Sequence, residues 1–195
     1  MSKAFTKETD NEDDEEIVVP ALPEGTKNYM TPGCFQRLIA EMDAFMQDER
    51  PKLVQVVQWA ASNGDRSENG DYQYGKRRLR EIDRRLRYLK RQLDRAEVID
   101  PTTRDTDQVF FGATVTVAEA DGKEFTVAIV GMDETDAQRG YISWMSPMAR
   151  TLTKSRAGDT VALRTPSGVT ELEIVDVQYV ALDTANATTS PSKSA

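Results

Sequence analysis

The chain has 195 residues, 38% of them hydrophobic, and a formal charge of −8, which leaves room for one ordinary domain or two small ones and argues against a general nucleic-acid binder. It contains no histidine, so imidazole-based triads and imidazole zinc sites are excluded. The single Cys34 can form neither an internal disulfide nor a thiolate cluster, which fits a reducing compartment.

Residues 1–27 contain "ETDNEDDEEIVVPALPEGTK", acidic and proline-punctuated without sustained periodicity, and read as a disordered leader. Residues 182–195 read as an unstructured tail. The chain does not open with a basic start followed by an apolar stretch, and no run reaches the roughly 18 apolar residues of a membrane span. The expectation is a cytoplasmic protein without a membrane partner.

Residues 28–100 read as one helical unit. In "YMTPGCFQRLIAEMDAF", Thr31 has the chemistry of an N-cap and Pro32 sits at the first helical position, where its missing N–H costs nothing. Apolar residues at 35, 38, 39, 42, 45, 46, 53, 56, 57 and 60 recur at helical spacing, with Pro51 expected to bend or locally divide the helix. A second helix carries Tyr72, Gly75, Leu79, Ile82, Leu86, Leu89, Leu93 and Ala96 at alternating steps of three and four, which is a heptad seam. The connection near 63–72 is short, so the two helices should form an antiparallel hairpin about 45 Å long, with its tip held away from any globular unit.

Two charged features mark that hairpin. Lys76, Arg77, Arg78, Arg80, Arg84, Arg85, Arg87, Lys90, Arg91 and Arg95 stand against Glu81, Asp83 and Asp94 on the second helix. Arginine dominates, which suits bidentate phosphate contacts that position a nucleic-acid backbone. No helix-turn-helix, zinc finger or RNA-recognition strand accompanies the patch, so it is not expected to read sequence. The connection itself, "SNGDRSENGDY", has Asp65 and Glu68 at the D-x-x-E spacing of a helix N-terminal cap. The same two carboxylates can serve as ligands for a divalent cation. Magnesium takes one or two protein carboxylates plus phosphate oxygens and water, so such a pair would complete a site supplied mostly by a partner. Spacing alone allows both readings.

After a linker at 101–106, residues 107–181 change character. In "VFFGATVTVAEADGKEFTVAIVG", β-branched residues alternate with polar ones around an Asp121-Gly122 hairpin turn. "GYISW", "DTVALR" and "GVTELEIVDVQYV" read as further strands and "PMARTLTK" as a short helix, together a small antiparallel α+β domain.

The stretches "NYMTPGCFQRL", "ERPKLVQVVQWAASNGDRSENGDYQYGKRRLREIDRRLRYL", "VFFGATV", "YISWMSPMARTLTKSRAGD" and "VQYV" resemble the bacterial Gre transcript-cleavage factors, and among them the GreB type. The resemblance covers about residues 28–181. Its most specific element is G-D-x-x-E-N-x-[DE]-Y at the turn of a helical hairpin, followed by an arginine-rich helix. One departure is Gly70, where alanine is common in the family.

The resemblance implies two domains: a coiled-coil hairpin, and an FKBP-like domain that docks on bacterial RNA polymerase. The hairpin would enter the polymerase secondary channel, where Asp65 and Glu68 help hold a Mg2+ ion shared with the polymerase. The polymerase, rather than this chain, would then hydrolyse backtracked RNA at its nascent 3′ end. By position, Asn69, Asp71 and Tyr72 take supporting roles at the tip. Lys76, Arg77, Arg78, Arg80, Arg84, Arg85, Arg87 and Arg91 become candidates for RNA phosphate contacts, and Ser146 and Pro147 for polymerase docking, with Trp144 and Met145 beside them. The free protein is expected to be a monomer.

Two rivals follow. One is a hairpin that occupies the channel without promoting cleavage. The other is a prolyl isomerase, suggested only by the expected C-terminal fold, for which Phe110, Phe111, Phe125, Tyr141, Trp144 and Tyr179 would have to converge on a pocket.

Overall fold

The computed structural model describes residues 25–62, 70–166 and 168–185. A short strand β1 (Asn28–Met30) runs into a long helical arm made of α1 (Pro32–Ala44), a π-helical turn (Phe45–Glu49) and α2 (Arg50–Ser62). Thr31 caps α1 by accepting the Cys34 N–H, and Pro32 occupies the first turn, as its chemistry predicts. Pro51 leaves the arm continuous. Its ring would press on the carbonyl four residues back, and the chain meets this with a wider turn just before it, in which the Arg50 N–H donates to the Phe45 carbonyl.

The returning arm is α3 (Gly70–Asp94), which buries Gly75, Ile82 and Leu89, one residue per heptad. The arms come very close at Gly75, where an added Cβ would lie 2.5 Å from Cγ2 of Val57. Ala96, expected as the last seam residue, instead lies in strand β2 (Ala96–Val98), because α3 stops at Asp94. β2 pairs parallel with β1, Asn28 opposite Ala96 and Met30 opposite Val98. Met30, Cys34, Leu38 and Leu89 form the core at this end of the hairpin. Full burial of each leucine contributes about 1.5–3 kcal/mol.

The C-terminal unit is a five-stranded sheet in the order β5-β4-β3-β7-β6, from β3 (Thr114–Glu119), β4 (Glu124–Val130), β5 (Tyr141–Ser143), β6 (Thr160–Thr165) and β7 (Gly168–Gln178). β3 and β4 form the expected hairpin, with Gly122 at φ 82, a conformation that glycine adopts without steric cost. The antiparallel expectation holds for four strands, whereas β5 joins parallel to β4. The sheet is therefore mixed. Alternate residues Val115 and Val117, Val127 and Ile129, and Leu172 and Ile174 point to one face, where Ala149 and Leu152 of helix α4 (Pro147–Leu152) close the core. Phe125, Trp144 and Tyr179 pack against that core, and the Tyr179 hydroxyl donates to the Gln108 carbonyl at 2.7 Å. Three of the aromatics needed for an isomerase pocket thus have structural work.

The hairpin is rooted on this domain. Tyr29 of β1 meets Phe111 at 5.8 Å between ring centroids and Trp144 edge-on at 5.3 Å. Beyond β4, a 3-10 turn (Met132–Glu134) sends Asp133 and Glu134 into the joint. The Tyr88 hydroxyl of α3 donates to Asp133 at 2.5 Å, and Arg37 of α1 donates to the Asp133 carbonyl at 2.6 Å. Residues 182–185 also pack at the joint: Thr184 is 1% exposed. The sequence assigns residues 182–185 to the tail, because nothing in "LDTA" signals a buried hydroxyl.

Candidate functional site

Asp65, Glu68 and Asn69 lie outside the described residues, as does the capping arrangement proposed for them. Asp71 and Tyr72 occupy the first turn of α3. Trp59 and Tyr74, each about one turn from the connection on opposite arms, are 64% and 70% exposed. Sequence reasoning did not single out these two rings. Their exposure follows from the seam, which leaves both positions on its flanks.

The basic residues divide into two groups. Arg85 makes a bidentate pair with Glu41, at 2.7 and 2.9 Å, and its guanidinium lies 5.0 Å from the centroid of the Tyr88 ring. Glu41 is the main cause of the upward shift of the Arg85 pKa. Arg78 bridges Glu49 at 2.7 Å and Glu81 at 3.0 Å. These two guanidiniums brace α3 against the outgoing arm, so carboxylates already occupy them. On the same principle Arg50 of α2 reaches Asp83 at 2.8 Å.

Arg77, Arg80, Arg84, Arg87 and Arg91 repeat at steps of three and four, opposite the seam of Gly75, Leu79, Ile82, Leu86 and Leu89. Arg77, Arg87 and Arg91 are exposed, and no ion pair is recorded for them among the described residues. Lys76, Arg80 and Arg84 are half-buried and have interactions of their own. The result is a stripe of positive charge on the outer face of α3, running from its first turns toward the root. It can follow a polyanionic strand without reading bases.

Ser146 and Pro147 form the start of α4. The Ser146 Oγ accepts the Ala149 N–H at 3.1 Å and Pro147 occupies the first turn. Their local work is helix capping, which holds this turn of the domain surface in shape.

The root shows what the sequence did not. Glu134 is 0% exposed, yet accepts the Gly131 N–H at 2.6 Å, the Thr31 N–H at 3.2 Å and the Thr31 hydroxyl. Burial pushes its pKa up, and these donors pull the other way. Acids closing an apolar strand, as in "VAIVGMDE", are the signal that points to such a buried carboxyl. Tyr88, beside Leu89 of the seam, gave no such signal.

A helical arm with an arginine stripe and an acidic connection, rooted through buried polar contacts on a small mixed-sheet domain, defines a two-domain α+β protein built to project a hairpin. Two family models match it: the N-terminal domain of transcription elongation factors over residues 28–98, and the GreA/GreB C-terminal domain of the same factors over residues 104–179. A transcription elongation factor GreB of Neisseria meningitidis is 57% identical over 159 residues, covering 81% of this chain and 98% of that protein. GreB of Pseudomonas putida is 43% identical, covering 78% and 94%. Among solved structures, the GreA factor homolog 1 (Gfh1) protein of Thermus thermophilus aligns with a TM-score of 0.38 and 21% identity, covering 78% of this chain and 99% of that one. The chain belongs to the GreA/GreB family of transcription elongation factors and is of the GreB type.

Proposed function

We propose that this elongation factor binds bacterial RNA polymerase and extends its hairpin through the secondary channel, stimulating the polymerase to cleave backtracked nascent RNA and so resume elongation. The observation that carries the reading is the outward arginine stripe of α3, which leads along one arm to a connection whose sequence holds Asp65 and Glu68. A phosphodiester strand lying along that stripe would run toward the segment whose sequence carries the two carboxylates. The factor is not itself the enzyme, because hydrolysis occurs in the polymerase active centre.

Asp65 and Glu68 suit a shared ion rather than a resident one, because two carboxylates leave most positions of a magnesium shell to phosphate, water and the partner. Asp65 and Glu68 would hold Mg2+ jointly with the polymerase, and the ion, when bound, activates water and stabilises the oxygens of the displaced phosphodiester. Arg77, Arg87 and Arg91 hold the RNA by its phosphates. Ser146 and Pro147 contribute to the docking face.

The test adds the protein to a stalled, backtracked polymerase with Mg2+ and follows RNA length. Shortened RNA is expected, with Asp65→Ala and Glu68→Ala each slowing cleavage roughly tenfold or more while still binding polymerase. An intact transcript with the wild-type factor would leave the channel-occupying reading in its place.

A further inference from the structure

We infer that residues 181–185 form a clasp, with Thr184 as a positioning residue that fixes the angle at which the hairpin leaves the C-terminal domain. Three separate parts of the chain meet at this point. Thr31 is the first residue of the hairpin arm, Glu134 belongs to the C-terminal domain, and Thr184 arrives from beyond the last strand.

The three side chains form one buried hydrogen-bonded cluster. The Thr31 hydroxyl has a single proton, and Glu134 accepts it. The Thr31 oxygen lies 2.5 Å from the Thr184 hydroxyl oxygen and accepts the Cys34 N–H at 3.4 Å. Thr184 thereby completes a buried cluster built around a carboxylate. Both threonine side chains are buried, at 2% and 1% exposure, so water cannot readily replace either partner.

The segment is held on both sides of that contact. Arg139 donates to the Asp183 carbonyl at 2.8 Å and is itself anchored on Asp136 at 2.8 Å. Across the clasp, Gly33 leaves room for it: an added Cβ would stand 2.9 Å from the Thr184 Oγ1 and 3.3 Å from the Ala185 nitrogen. The N-terminus of α1 is thus shaped to receive this segment. In this proposal the buried network acts by selecting one arrangement of the two units more than by adding stability.

The effect of that selection on transcript cleavage rests on the proposed function, whereas its effect on hairpin orientation does not. The experiment therefore reads both. The distance between labels at Gln55→Cys on α2 and Lys123→Cys on the β3–β4 turn is measured in the free full-length protein, for the parent, Thr184→Val, Thr184→Ser and a chain ending at Ala181. The same variants without labels are titrated against backtracked polymerase.

Thr184→Val and the shortened chain should broaden the distance distribution and raise the concentration for half-maximal cleavage by about fivefold, the equivalent of one lost hydrogen bond, with the maximal rate unchanged. Thr184→Ser should keep the parent values for both. An unchanged distance distribution in both Thr184→Val and the shortened chain overturns the clasp. A changed distribution with unchanged half-maximal concentration overturns its positioning role. A changed distribution where even the parent cleaves nothing supports the clasp and overturns the proposed function instead.

Discussion

The phenolic hydroxyl of Tyr88 donates to the carboxylate of Asp133 at 2.5 Å, tying the root end of the returning helix to the turn that follows β4. Burial and the adjacent carboxylate both push the Tyr88 pKa well upward, so the phenol stays a donor. Asp133 is 7% exposed. Tyr88→Phe therefore removes a donor from a buried carboxylate and should cost about 1.5–3 kcal/mol, measured as a lower denaturant midpoint with an unchanged slope.

Two ion pairs between the arms should differ in strength. Arg85–Glu41 is bidentate, with side chains 30% and 29% exposed. Arg50–Asp83 is a single contact at 45% and 40% exposure. Double-mutant cycles should give a coupling of about 1.5–3 kcal/mol for the first and under about 1 kcal/mol for the second. Equal couplings would show that the cation–π contact and the second hydrogen bond at Arg85 add nothing.

The outward stripe makes a prediction about salt. If Arg77, Arg87 and Arg91 each hold an RNA phosphate, replacing all three with glutamine should weaken factor-dependent cleavage. It should also reduce the logarithmic salt slope by about 2, since each single-strand contact carries roughly 0.7. The braced Arg78 replaced by glutamine should leave that slope alone, because carboxylates already occupy its guanidinium. Comparing cleavage across a salt series for the two variants separates phosphate contact from general loss of charge.

Cys34 supplies a pH test. Burial, followed by the nearby Glu134 charge, pushes its thiol up to about 12 from an ordinary 9.0. Folding thus retains a proton that the unfolded chain releases. This contribution to stability is fully present below pH 9 and falls away as pH rises toward 12. At pH 8 a thiol reagent should fail to label the native protein and should label it fully in denaturant. Fast labelling under native conditions would mean that the root of the hairpin opens readily.

Periodicity made the hairpin legible. The seam from Gly75 to Leu93 specified a helix and its buried face, and Thr31-Pro32 specified where the first arm begins. Alternation and the Asp121-Gly122 turn did the same for β3 and β4. The parallel placement of β5 was not legible, since three residues of strand carry no record of direction. The end of α3 was also hidden: Ala96 fits the heptad, but pairing with β1 claims it for a strand. At the site, a count of arginines could not distinguish Arg85, held by a glutamate 44 residues earlier, from Arg87, which faces outward. The contacts of Glu134 and Thr184 join segments distant in sequence, and local chemistry does not register such partners.

The parallel pairing of β1 with β2 has a mechanical consequence. Both ends of the hairpin are stitched to each other where they enter and leave the root, so the arms swing as one cantilever rather than as two levers. Over an arm of about 45 Å, a tilt of about 2° at the root carries the far end about 1.6 Å. Misplacement by about 1 Å can cost a reaction on the order of a hundredfold, so under the proposed function the contacts at the root, these three residue pairs among them, bear on chemistry at the far end.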